Sequence, residues 1–460
     1  MRLFAGTASA LLALAAASCA LILDFDDLTQ GDGAEAGIQC TTDLACDDGI
    51  PCTEDRCVAG LCNSEPRSLV RIGDRRTITG DIGRAFRLSM AATGKRFYLS
   101  VFYETPATSM REVSLHYWDV GGDEYREISA LSQLNAGPVL SKPASRAALV
   151  ATSTLPPAIH AYLASGDPPA VFHLELDGDL NLDEFRSRAA EQTPSFDASI
   201  ETRGPVAWQT GDGKVWGGWL TTAGTILLHS GTAPLPPAPS PDFAPSPPPA
   251  LIAPLAGGAE PGVLWHSSAG LFAQLRNGTQ PLSLVQCDTS GTALSLSSTN
   301  LEFSDAFLAV WTREQNPSGP TVLESALVQC VDTGFCQQSA PTCDGPNAPT
   351  RVGNRNGALA FYQRKSKPDS GYQFAALPAV EGQEASLSLR LREVTVGQEA
   401  SSKELELREI ARTPLGALAN GPNWPEVAVA TEDIVSVAWI EPANAREVVH
   451  WERYRVCYPD

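Results

Sequence analysis

Val435-Ser436-Val437-Ala438-Trp439, Phe307-Leu308-Ala309-Val310-Trp311 and Gly262-Val263-Leu264-Trp265 are copies of one phrase, a short apolar run that closes on an aromatic residue. Working outward, the same phrase reads as Leu99-Ser100-Val101-Phe102-Tyr103, Ala148-Leu149-Val150-Ala151-Thr152, Pro205-Val206-Ala207-Trp208 and Leu359-Ala360-Phe361-Tyr362. Aligned on their last residues, the copies end at 103, 152, 208, 265, 311, 362 and 439, with intervals of 49, 56, 57, 46, 51 and 77. Gly, Pro, Ser and Asn turns separate each run from the next. Short apolar runs between turn signals at even spacing indicate an all-β chain. Self-similarity at roughly 50 residues indicates a repeat architecture.

At the level of texture this resembles the β-propellers, closed rings of four-stranded sheets. The expectation is therefore a seven-bladed β-propeller over 68–460, with each apolar run an inner strand and each aromatic filling the wedge between blades. Two β-sandwich domains, split at the Pro-rich stretch, are the alternative. That stretch, Pro234 to Pro254, holds 10 of the 35 prolines and must run extended. The even spacing across it favours a loop over 232–256 rather than a linker. Leu182 to Glu191 is the best short helical candidate, and Leu387-Ser388-Leu389-Arg390-Leu391 alternates as an extra hairpin would. A second phrase places Cys287, Cys330 and Cys457 on what reads as one equivalent strand of three repeats. Thr210-Gly211-Asp212-Gly213-Lys214-Val215-Trp216 approaches the Asp box of sialidase-type propellers, but carries Lys214 for a Gly and is one residue short.

The chain begins with Met1 and Arg2, then an apolar, small-residue run to Ala17, and then Ser18-Cys19. That run is too short to span a bilayer. It resembles a bacterial lipoprotein signal peptide over 1–18, with Ala16 where the lipobox usually has Leu. The resemblance implies acylation of Cys19, and Ala20 in place of Asp after it resembles the outer-membrane sorting pattern. Two or more acyl chains hold a protein stably on a membrane. A signal peptide cut at Ala15-Ala16-Ala17, leaving Cys19 free or disulfide-bonded, is the alternative.

Residues 19–39 read as a lipidated, flexible, acidic tether, and 40–66 as a small cysteine module. Residues 20–59 hold ten acids and one base, Arg56. Cys40, Cys46, Cys52, Cys57 and Cys62 are spaced 6, 6, 5 and 5 apart. The text Cys46-Asp47-Asp48-Gly49-Ile50-Pro51-Cys52-Thr53-Glu54-Asp55-Arg56-Cys57 resembles a small extracellular repeat of slime-mould matrix proteins and of myxobacterial surface lipoproteins. The resemblance implies a secreted, disulfide-stapled module. So short a segment cannot hold itself with a core, so cross-links must. Zinc is the rival for the cysteines, but there are no Cys-x-x-Cys pairs and no nearby His. Calcium on Asp43, Asp47, Asp48 and Asp55 competes with a solvated acidic loop, because their spacing is not that of an EF-hand. In the body, Cys287, Cys330, Cys336, Cys343 and Cys457 are the remaining disulfide candidates.

The 460 residues carry 33 bases against 53 acids, a net charge of −20, with 43% hydrophobic content. This apolar content excludes a disordered chain. Strong acidity argues against nucleic acid as a partner. No Gly-x-Ser-x-Gly, Walker A, His-Glu-x-x-His or dinucleotide-binding glycine motif occurs. The histidines, His116, His160, His173, His229, His266 and His450, are scattered singly. No catalytic residue, metal or cofactor is assigned from the sequence. The reading is an outer-membrane-anchored lipoprotein that binds a protein or glycan ligand on its propeller face, more a binding protein than an enzyme. A glycan-active hydrolase or lyase and a structural envelope-assembly factor are the alternatives.

Overall fold

The computed structural model describes residues 39–50, 52–79, 82–107, 111–128, 144–152, 157–165, 170–177, 185–186, 205–210, 212–221, 223–231, 241–255, 260–284, 292–301, 306–314, 321–330, 336–338, 342–343, 358–363, 370–381, 384–396, 405–417, 425–431, 433–443 and 446–458. The leader, Cys19, the tether to 38 and Cys287 lie outside them. The chain divides into two units, Met1–Pro66 and Arg67–Asp460.

In the first unit a 3-10 turn, Asp43–Cys46, precedes a hairpin of β1 (Thr53–Val58) and β2 (Leu61–Pro66). Ala59 and Gly60 form the two-residue turn, with φ of 54° and 83°. Positive φ at both central residues is what a turn matched to strand twist requires. Cys40 bonds to Cys57 and Cys46 to Cys62. Cys52 is also disulfide-bonded. Cys40 and Cys46 are the buried apolar residues here, while Ile50, Val58 and Leu61 are half exposed. Covalent links do what so small a core cannot.

The second unit is a series of antiparallel sheets taken in chain order. Residues between the two units' sheets, β3 (Leu69–Arg71) and β4 (Arg76–Ile78), wait for a partner described below. The first sheet is β5 (Arg84–Ala92), β6 (Arg96–Glu104), β7 (Arg111–Asp119) and β8 (Tyr125–Ile128). The second is β9 (Ala144–Ala151), β10 (Ala158–Ser165), β11 (Ala170–Asp177) and β12 (Phe185–Arg186). The third is β13 (Val206–Gln209), β14 (Val215–Leu220) and β15 (Ile226–Ser230). The fourth is β16 (Leu251–Leu255), β17 (Gly262–Ser267), β18 (Gly270–Leu275) and β19 (Leu282–Leu284). The fifth is β20 (Thr292–Leu301), β21 (Ala306–Glu314), β22 (Thr321–Cys330) and β23 (Cys336–Gln338), with β24 (Thr342–Cys343) also on β22. The sixth is β25 (Ala358–Gln363), β26 (Ser370–Glu381), β27 (Glu384–Val396) and β28 (Leu405–Ala417). The closing sheet is β29 (Glu426–Thr431), β30 (Ile434–Ala443) and β31 (Arg446–Val456), completed by β3 and β4, both paired with β31.

Each sheet's first strand packs against the first strand of the next, from β5 through β9, β13, β16, β20, β25 and β29, and β29 packs on β5 again. This is an all-β, propeller-like arrangement. Strands such as β6, β14 and β17 are buried along nearly their whole length. A strand covered on both faces reads as a continuous apolar run rather than an alternation, which is why the opening phrase is so apolar. Aromatics fill the seams: Trp208, Trp216 and Phe243 pack with Trp265 between the third and fourth sheets. Trp118 meets Trp451 edge-on at 5.6 Å between the first and closing sheets.

Several expectations need correction. The repeated phrase falls on second strands at 103, 265, 311 and 439 but on first strands at 152, 208 and 362. First strands such as β13 and β16 are less covered than second strands such as β14 and β17, yet both carry the same apolar letters, so apolarity alone does not tell them apart. Cys330 ends a third strand and Cys457 follows one, while Cys287 lies outside the described residues. Among the described residues of the long last interval, Leu387–Leu391 lies on β27, a strand of the sixth sheet, and β26, β27 and β28 are 12, 13 and 13 residues long. Within the helical candidate, Phe185–Arg186 is a strand paired with β11. In the Pro-rich stretch, Phe243 folds back to bridge Ile226 on the third sheet's last strand.

Candidate functional site

The closing sheet gathers cations on a chain that is otherwise acidic. Strands β3 and β4 bring Arg71, Arg75 and Arg76 against β31. Glu452 on β31 is buried and holds two of them: Arg75 Nε lies 2.7 Å and Arg71 Nη1 3.7 Å from its Oε1. The Tyr454 hydroxyl donates to the other carboxylate oxygen of Glu452, and burial pushes its pKa up. Arg75 also donates to the Leu415 carbonyl at 2.7 Å and sits 4.9 Å from the Trp439 ring centre. Arg76 lies 5.4 Å from the ring of Trp118 and 5.5 Å from that of Tyr125. Two guanidinium groups share this one carboxylate. The buried acid fixes their position, and Arg71 is still 53% exposed.

Beneath this surface Arg453, almost wholly buried, donates to the carbonyls of Asp119, Val120 and Gly122. Its guanidinium lies 3.9 Å from the Trp118 ring centre. Arg453 thereby ties the closing sheet to the first sheet. Desolvation lowers its pKa, and Asp123 opposes that.

The histidines take distinct roles. His116 is fully buried, with Nε2 at 2.8 Å from the Ser114 hydroxyl and Nδ1 at 3.0 Å from the Tyr125 hydroxyl. Burial pushes its pKa down to about 3. The Ser-His pair has a nucleophile's spacing but is sealed off from substrate. His160 Nδ1 and His173 Nε2 are 2.8 Å apart and their rings stack. His173 stacks in turn on Tyr162, whose hydroxyl lies 3.5 Å from His229 Nδ1. This chain fills the seam of the second and third sheets. Desolvation lowers the pKa of His160, partly offset by Glu175. His266 is buried and lowered by desolvation. His450 faces both a carboxylate and an exposed hydroxyl, Glu441 and Thr77.

In the module, carboxylate oxygens of Asp47, Asp48 and Asp55 converge within 4.8 Å of one another. Asp43 does not join them: it accepts the Cys57 amide at 2.8 Å. Local hydrogen bonds account for the convergence. Asp47 accepts from the Gly49 amide, Asp48 from the Ile50 amide and Thr53 hydroxyl, and Asp55 from Ser64. The Ile50 amide is the main cause of the lowered Asp48 pKa. Cys330 and Cys336 face each other in register across β22 and β23, and Cys343 lies opposite Glu324. Cys457 is disulfide-bonded. Thr210 to Trp216 forms the β13–β14 hairpin, where Asp212 accepts from the Thr210 hydroxyl at 2.6 Å.

Sequence reasoning missed the closing-sheet cluster. Arg75 and Glu452 are 377 residues apart, and no local spacing signals such a pair. The one hint is the basic density of Arg67, Arg71, Arg75 and Arg76 in an acidic chain.

No family model and no curated protein matches the chain. Among solved structures it is similar to a protein of unknown function from Dyadobacter fermentans, at 7% identity and a TM-score of 0.44, over 85% of this chain and 100% of that one. It is also similar to the sialidase NanB from Streptococcus pneumoniae, at 9% identity and a TM-score of 0.41, over 83% and 70% of the two chains. A third similarity is to the leech intramolecular trans-sialidase, at 8% identity and a TM-score of 0.43, over 82% and 68%. Likeness at this level carries no residue and no activity across to this chain.

Proposed function

We propose that the chain is a lipid-anchored protein of the outer membrane whose body is a seven-bladed propeller that binds an acidic glycan at its closing sheet. The observation that carries the ligand class is the pair Arg71 and Arg75 on the single buried carboxylate of Glu452. Guanidinium groups pair with carboxylates through parallel hydrogen bonds, and a pair fixed in advance loses little entropy on binding. Two cations gathered on one acid stand out because the chain as a whole carries −20. Two disulfides in the cysteine module support an oxidising, extracytoplasmic setting. The blade count rests on the circle of first strands from β5 to β29. The anchor rests on the leader and Cys19 alone.

The test is titration of the full chain with polygalacturonate and with neutral dextran. The expected result is binding of the acidic polymer only, weakened several-fold in Arg71→Gln, a variant that leaves Arg75 on Glu452. Equal behaviour of the two polymers overturns the ligand class. Release of fluorophore from 4-methylumbelliferyl glycosides overturns the reading as a binding protein. A Cys19→Ala variant that stays with membranes overturns the anchor.

A further inference from the structure

Beside the arginine pair, three side chains from three strands form a line across the closing sheet. Thr77 on β4 and His450 on β31 are register partners, and His450 is in turn the register partner of Trp439 on β30. The Thr77 hydroxyl lies 3.3 Å from His450 Nδ1. On the opposite side of the ring, His450 Nε2 lies 3.2 Å from Glu441 Oε2. Glu441 stands two residues beyond Trp439, a diagonal neighbour of His450 within reach of a long side chain. The Trp439 ring, 5.3 Å from the imidazole centre, packs against it.

A carboxylate at Nε2 fixes the tautomer with the proton on that nitrogen. Nδ1 is then the acceptor, and it faces the hydroxyl. A nucleophile within reach of a base, the base oriented by a third group, is the arrangement that activates a hydroxyl. Exposure separates this line from the sealed Ser114–His116 pair. Thr77 is exposed, and the side chains of His450 and Glu441 are 13% and 30% exposed.

We propose that Thr77, His450 and Glu441 form an acyl-transfer site, with Thr77 as nucleophile, His450 as general base and Glu441 as positioning residue, acting on activated carboxylic esters. The Thr77 oxygen attacks the ester carbonyl carbon while its proton passes to His450 Nδ1. The carbon–oxygen bond to the leaving alcohol breaks, and that oxygen takes the proton from Nδ1. The products are one acyl-threonine ester and one alcohol, with His450 neutral again. Water then repeats the sequence to release the acid. Burial holds the His450 pKa down, with Glu441 and Glu452 opposing and Arg75 reinforcing that shift. That direction favours the neutral imidazole, the form able to accept a proton. This activity goes beyond the glycan reading and does not depend on it.

The test exposes the full chain to p-nitrophenyl acetate, follows p-nitrophenolate release and maps acetyl groups by peptide mass spectrometry. Acetylation of Thr77 is expected, absent in Thr77→Val and retained in Thr77→Ser. General-base catalysis contributes about 100-fold or more, so His450→Gln should slow Thr77 acetylation by at least that factor. Glu441→Gln should slow it less and alter its pH profile. Thermal melts of each variant separate lost chemistry from lost fold, and Thr77→Val keeps a β-branched residue on its strand. Acetyl found only on lysines, or Thr77 acetylation unchanged in His450→Gln, overturns the proposal.

Discussion

Gly217→Ala tests the packing of the seam between the second and third sheets. Gly217 sits in the middle of β14, opposite Ala207 and His229. A β-carbon placed there would lie 2.2, 2.4 and 2.6 Å from three ring atoms of Tyr162. Favourable carbon contacts begin near about 3.5 Å, so the methyl group overlaps the ring by more than ~1 Å. The ring cannot swing aside. It is fully buried, stacked on His173 with centres 4.6 Å apart, and enclosed by Val171, Val215, Trp219 and Leu227. Overpacking of this kind costs about 1–3 kcal/mol, and a clash with a ring so confined belongs near 3. At about 2 °C per kcal/mol for a large domain, the melting temperature should fall by about 6 °C. Thermal denaturation followed by near-ultraviolet circular dichroism measures this directly. Tyr162→Leu removes the ring, so the double variant should lose less than the sum of the single losses, by about 1–2 kcal/mol. A Gly217→Ala protein as stable as the parent, or strict additivity with Tyr162→Leu, would refute the reasoning.

Acid should weaken the body well before its carboxylates protonate. His116 and His160 are held neutral by burial, His116 down to about 3. Below the unfolded value near 6.5 the unfolded chain takes up protons that the folded chain refuses. Stability is therefore full above about 6.5 and falls with pH by about 1.4 kcal/mol per unit for His116, with His160 adding in the same direction, visible as a falling urea midpoint from pH 7 to pH 5. Arg453→Met keeps a long apolar side chain beside Trp118 but removes the guanidinium over its ring and strands the carbonyls of Asp119, Val120 and Gly122. It should cost about 2–4 kcal/mol by urea titration. Disulfides closing loops of 17 and 16 residues each contribute about 3 kcal/mol, so dithiothreitol should open the module to trypsin at Arg56 while the oxidised chain resists.

The all-β class was legible because buried strands leave a plain trace. Leu99 to Tyr103 and Gly262 to Trp265 are apolar throughout, and both proved to be strands covered on two faces. Phase within the repeat was not legible, since Trp208 closes a first strand and Trp265 lies on a second one with the same composition. The sixth sheet shows the same limit: lengthened strands and an inserted hairpin add the same alternating letters. Chemistry was harder still. His450 looked like any of the scattered histidines, because its two partners come from β4, near the start of the body, and from β30. Tertiary contact between distant strands is not encoded by any short spacing. In the module the spacing of the acids left a cation site and a solvated loop both open; Asp47, Asp48 and Asp55 converge while turn hydrogen bonds engage each of them, and Asp43 turns away to the Cys57 amide.

The closing sheet has a consequence for the order of events during synthesis. Strand β3 emerges from the ribosome early, yet its sheet partner among the described residues, β31, is made much later. Arg75 must likewise wait across 377 residues for Glu452. Contacts that span such a distance pay a large loop-closure entropy and form late. Every intermediate made before β31 is an arc with two raw edges, prone to pair with other chains. The closing sheet is thus completed late, and a chain lacking β31 should behave as an aggregation-prone arc rather than as a slightly weaker ring.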